Sequence, residues 1–95
     1  MTAEEIVEKL RAQLTHLRRR YGVKAISLYG DFAKGKGKDD GYVDLLVDLD
    51  RELGLDFVTL TDELTRIVGH KVDLISTSGI DPAYKRELSK ELIPA

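Results

Sequence analysis

The sequence contains no cysteine, which excludes disulfides, thiolate catalysis and cysteine-ligated zinc together. No apolar run comes near the ~18 residues a membrane span needs. The opening residues, MTAEEIVEKL, are charged where a signal peptide would carry an apolar stretch. A cytoplasmic protein with no membrane partner is expected. An excess of positive charge is also missing: 15 Lys+Arg stand against 17 Asp+Glu, a formal balance of −2. No basic field therefore calls for a nucleic-acid backbone as partner, although a nucleotide-sized ligand is compatible with that balance. The 95 residues, 42% of them hydrophobic, support one core and one domain, residues 1–95. A substrate pocket has to share that core's surface.

What is present reads as alternating helices and strands. Ile6, Leu10, Leu14, Leu17 and Tyr21 recur at three-and-four spacing, which predicts one helix over residues 2–21 with a single apolar stripe. Thr2 and Glu5 have the form of a capping box, and Gly22 supplies a left-handed stop. Lys24–Tyr29, Val43–Leu49 and Lys71–Ser76 are short runs of branched and aromatic residues bounded by glycine or charge, predicted as three strands. Between the second and third, Phe57, Leu60, Leu64, Ile67 and Val68 repeat at helical spacing, from Asp56 as N-cap to Gly69 as stop. Asp81 and Pro82 open a last helix reaching Leu92, with Tyr84, Leu88 and Leu92 as its core contacts. A helix between strands two and three implies a parallel crossover, and the short segment between strands one and two an antiparallel return. The expected fold class is α+β, a small mixed β-sheet of about three strands packed against helices.

The segment LYGDFAKGKGKDDGYVDLLVDL, residues 28–49, carries the chemistry. Gly30 follows a strand and Gly35 lies five residues on, so Asp31–Lys34 can form one tight turn whose amides face the end of the sheet, where anions are attracted. A flexible, lysine-solubilised surface loop would have the same composition. Asp44 and Asp73 lie inside apolar strands, flanked by Val43 and Leu45 and by Val72 and Leu74. An ionised carboxylate in that setting costs several kcal/mol unless it is paired or metal-bound, so two of them call for a cation; the alternative is that each faces solvent on an open side of the sheet.

These residues resemble the minimal nucleotidyltransferases of the DNA polymerase beta superfamily, the MntA-like partners of HEPN proteins, and the resemblance covers nearly the whole chain. That family's pattern is a strand, Gly-Ser-x-x-x-Gly, a spacer, Ser-Asp-x-Asp leading into an apolar strand, and a third Asp on a later strand. Gly30 and Gly35 match the two glycines, Lys34 replaces an arginine, Asp44 matches the second Asp and Asp73, in KVDL, the third. The resemblance implies Asp44 and Asp73 as catalytic and metal-holding residues and Gly30, Asp31, Lys34 and Gly35 as nucleotide-binding positions. It further implies Mg2+ as cofactor, a nucleoside triphosphate as substrate and a HEPN-type toxin as partner, with the chain as antitoxin. Magnesium suits carboxylate oxygens, and two ions clamp the attacking and leaving oxygens of an in-line displacement.

Two positions depart from the pattern. Asp31 stands where serine belongs, and Tyr42, after Gly41, stands where the first Asp of the pair belongs. A carboxylate at Asp31 is expected to cap the turn's amides and take the place of a phosphate; two like charges ~4 Å apart repel by about 4 kcal/mol at an effective dielectric of 20. Tyr42 offers a neutral phenol, a poor magnesium ligand. The expectation is a nucleotidyltransferase fold with weakened or lost activity. The alternative is a catalytically silent module that forms a homo-oligomer or pairs with a helical partner. His16, His70 and Arg18–Arg20 are read as surface and helix-end residues, and Asp39 and Asp40 as solvated turn residues.

Overall fold

The N-terminal stripe folds as two helices rather than one. In the computed structural model, which describes residues 1–95, α1 runs Ala3–Arg11 and α2 Leu14–Tyr21. The Thr2 hydroxyl accepts from the Glu5 N–H at 3.1 Å while the Glu5 carboxylate accepts from the Thr2 N–H at 3.2 Å, the capping box that the sequence predicts. At the break, the Gln13 N–H donates to the Leu10 carbonyl, a tighter bond than the helical one. The stripe survives the break, because Ile6, Val7, Leu10, Leu17 and Tyr21 are all buried. Gly22, at φ 73°, closes α2 with its N–H on Arg18.

Strand β1 (Val23–Tyr29) runs antiparallel to β2 (Val43–Leu49), and β2 runs parallel to β3 (Val72–Ser76). A single turn, α3 (Gly30–Ala33), follows β1, and α4 (Asp56–Val68) is the crossover from β2 to β3. Asp56 is the first helical residue rather than the cap; Leu55 precedes it with no side-chain capping bond. A 3-10 turn at Thr77–Gly79 leads to α5 (Pro82–Ser89), where the Asp81 carboxylate accepts from the Ala83 N–H at 2.7 Å. The sheet is mixed, as expected, but it has four strands in the order β3-β2-β1-β4. The fourth, β4 (Ile93–Pro94), pairs with β1 and continues into an Ala95 N–H bond to Ile26. Two residues, one of them proline, present no strand pattern of their own, and proline is tolerated there because β4 is an edge.

The two faces of the sheet are packed very differently. Alternate residues Val43, Leu45 and Val47 of β2 join α1, α2 and α4 in a core of 17 buried residues. The opposite face carries only Tyr29, Leu46 and Leu88 as buried members, with Ile75, Ile80 and Leu92 partly covered. Helix α5 ends at Ser89 with Leu88 as its one buried residue, and Tyr84 is 49% exposed instead of joining the core. No helix is long and apolar enough to cross a membrane.

Leu64 on α4 is fully buried in the larger core. Leu64→Ala is expected to destabilise the fold by about 2–5 kcal/mol through lost contacts and a residual cavity, seen as a lower urea midpoint at unchanged slope.

Candidate functional site

The glycine-rich segment is an ordered turn with a buried anchor. Gly30 has φ 76°, a conformation only glycine adopts freely, and a Cβ there would collide with the Asp44 carboxylate. Glycine is therefore required twice, for its backbone angle and for the close approach of a strand carboxylate. Phe32 turns inward and is buried, and its ring meets His70 edge-on at 5.2 Å. The His70 Nε2 lies 2.5 Å from the Gly41 carbonyl, tying the end of the spacer to the chain just before β3. His70 thus has a structural task that its place after a helix did not reveal.

Asp44 and Asp73 face each other. They are direct partners in the β2–β3 register, and Asp44 is also the partner of Tyr29 across β1–β2. Paired residues share a face of the sheet, here the lightly covered face on which α5 lies. Asp44 is half-buried and Asp73 exposed. The Asp44 carboxyl is held above the usual carboxylate range, first by burial, then by the charges of Asp73, Asp31 and Glu91. The Tyr29 phenol is likewise pushed up, chiefly by burial and next by Asp44. Four carboxylates therefore bear on one end of the sheet, at the mouth of the Gly30 turn.

The carboxylate seated on that turn is not the expected one. Asp31 is exposed, and the Gly30 N–H donates instead to Glu91 Oε1 at 3.3 Å. The Lys34 ammonium pairs with Glu91 Oε2 at 3.2 Å. Glu91 lies sixty-odd residues away in sequence, and no local pattern signals its arrival. A cleft of about 290 Å³ opens beside it, lined by Tyr29, Gly30, Tyr84, Glu87, Leu88 and Glu91. Gly35, at φ 74°, ends the turn in open space.

Tyr42 is 54% exposed, two residues before Asp44, and the Lys71 ammonium sits 4.6 Å from its ring centroid. A cation–aromatic pair therefore occupies the position next to the two aspartates. The oxygen donors of Asp44 and Asp73 suit a hard divalent cation, and two carboxylates with substrate phosphates are a sufficient set for magnesium. No group of three Asp, Glu, His or Cys side chains is arranged to hold one ion. Away from this end, His16 on α2 bonds Glu63 on α4, which also accepts from the Tyr21 hydroxyl at 2.5 Å. This is an inter-helix tie rather than part of the site.

Comparison with known proteins finds relatives along nearly the whole chain. The family model described as a nucleotidyltransferase domain matches residues 10–94. The protein adenylyltransferase MntA of Thermococcus cleftensis is 33% identical over 94 residues, spanning 98% of this chain and 95% of that protein. A solved protein provisionally named a minimal nucleotidyltransferase superposes with a TM-score of 0.83 at 29% identity, over 100% of this chain and 97% of the other. A chain from the solved complex of the tri-AMPylated Shewanella oneidensis HEPN toxin with its MNT antitoxin has a TM-score of 0.60 at 15% identity, over 97% of this chain and 66% of that one, a likeness of fold alone. With a match that runs from α1 to β4, the chain belongs to the nucleotidyltransferase domain family.

Proposed function

We propose that this chain is an attenuated nucleotidyltransferase that moves the nucleoside monophosphate of ATP onto a hydroxyl of a HEPN-type partner protein. The observation that carries the reading is the pairing of Asp44 with Asp73 beside the Gly30 turn. The MntA relative, a protein adenylyltransferase, supports the substrate class. The partner class is supported by the fold shared with a chain of the HEPN toxin–MNT antitoxin complex. A cytoplasmic setting, where nucleotide and partner protein meet, belongs to the same reading.

Asp44 and Asp73 are the residues that would hold magnesium, which when bound supplies neutralising charge to the phosphates. Gly30, Lys34 and Gly35 hold the phosphate chain, with the Gly30 amide and the Lys34 ammonium as donors. The acceptor oxygen bonds to the α-phosphorus, the bond to the bridging oxygen breaks, and pyrophosphate leaves. The hydroxyl proton passes to Asp73, the carboxylate of the pair that faces solvent. Attenuation follows from Tyr42, which supplies no carboxylate, and from Asp31, whose charge adds to that already surrounding Asp44.

Incubation with magnesium, ATP labelled at the α-phosphate and a HEPN-type partner is expected to label the partner slowly, and Asp44→Ala to abolish the label. Labelling no greater than in that control would leave the second reading, a silent pairing module, for which Tyr42 in place of a carboxylate speaks. Asp31→Ser with Tyr42→Asp restores the family pattern and is expected to tighten magnesium-dependent ATP binding in calorimetry; no gain would refute the alignment of these positions.

Asp44 also couples function to stability. Its folded-state pKa is raised, so the ionised carboxylate destabilises the native state above that pKa, and the penalty fades as pH falls through it. Asp44→Asn is expected to raise Tm at pH 7, a gain that fades as the pH falls into the carboxylate range, while transfer is lost.

A further inference from the structure

The Glu91 carboxylate bridges the two groups that the proposed reading assigns to the phosphate chain, one oxygen on the Gly30 amide and the other on the Lys34 ammonium. Its backbone has little freedom. The Glu91 N–H donates to the Leu88 carbonyl at 3.0 Å, Leu88 is the buried residue of α5, and two residues beyond Glu91 the chain pairs with β1. The ion pair itself reaches solvent: the Glu91 side chain is 30% exposed and its lysine partner 49%. Such partly exposed ion pairs are weak enough to be exchanged for a stronger ligand. The contact also brings a further negative charge to bear on Asp44, beside those of Asp73 and Asp31.

We propose that Glu91 is an internal competitor for the phosphate chain, its carboxylate holding the Gly30 amide and Lys34 in the resting protein and swinging away when the triphosphate enters. The device rests on the reading that this corner receives phosphates, and it regulates that site by setting the nucleotide concentration at which it fills. Displacement needs only a rotation of the Glu91 side chain into the cleft beside Tyr84 and Glu87, so helix α5 and strand β4 stay in place.

The probe is magnesium tripolyphosphate, titrated calorimetrically into the wild-type chain and into Glu91→Gln and Glu91→Ala. Both variants are expected to bind roughly tenfold more tightly or better, the order expected when one opposing charge is removed beside the bound anion. Lys34→Ala added to Glu91→Gln should remove that gain. Glu87→Gln, which deletes a charge on the same cleft wall, should change affinity by less than about twofold, as a rim charge does. Thermal melts establish that each variant is folded. Unchanged affinity in folded Glu91 variants, binding by none of the proteins, or an equal gain in Glu87→Gln would each overturn the proposal. Weaker binding would also overturn it, and would make Glu91 a contributor to the site rather than its competitor. A Glu91 variant that gains tripolyphosphate affinity while the wild-type protein transfers no nucleotide would keep this inference and reject the transferase reading.

Discussion

Parallel pairing of β2 with β3 sets Asp44 directly beside Asp73, and two neighbouring carboxylates repel unless a proton or a cation intervenes. The chain cannot relax this by sliding the strands. A shift of one residue would turn Val43, Leu45 and Val47, all fully buried, out of the larger core. Hydrophobic burial on one face of the sheet thus enforces an electrostatic conflict on the other. Burial first, and the neighbouring charges second, raise both the Asp44 carboxyl and the Tyr29 phenol across the neighbouring strand. A cation placed between two such carboxylates would relieve their repulsion.

The turn that completes the site is held by the same core. Phe32 projects from α3 into the main cluster, and His70, at the far end of α4, meets both Phe32 and the Gly41 carbonyl. The start and the end of the glycine-rich segment are therefore tied to one residue. A lysine-rich spacer that composition alone would read as loose has its two ends in fixed places. Its middle, Lys36–Asp40, is exposed, but Gly37 lies against the Phe32 ring so closely that a Cβ there would collide with it.

The candidate site occupies the thinly packed side of the molecule. Seventeen buried residues hold α1, α2 and α4 to one face, against three that hold α5 to the other. Lightly packed elements open at lower free energy than the core, so α5, its exposed Tyr84 and the Glu91 turn form the part of the structure best able to adjust to a ligand. The stability given up by gathering carboxylates at this face is supplied by the opposite one, a common division between scaffold and site.

Period and punctuation were enough to read which segments are helical, three of the four strands, the mixed sheet and the Gly30 turn, because each depends on neighbours within a few residues, but not where every helix breaks or ends. The convergence of Asp44 and Asp73 was also legible, since a βαβ crossover leaves little choice of partner strand and each aspartate interrupts an apolar run. Other features depend on distant contacts, and only tertiary structure decided them. The break at Ala12–Gln13 left the apolar stripe unchanged and so was invisible in it. Strand β4 exists only because β1 offers an open edge. The carboxylate on the Gly30 amide turned out to be Glu91 rather than Asp31, because α5 and β4 deliver a residue from the end of the chain to that point. Local sequence determines which groups a segment contains, whereas the folding of distant segments onto one another decides which of those groups meet.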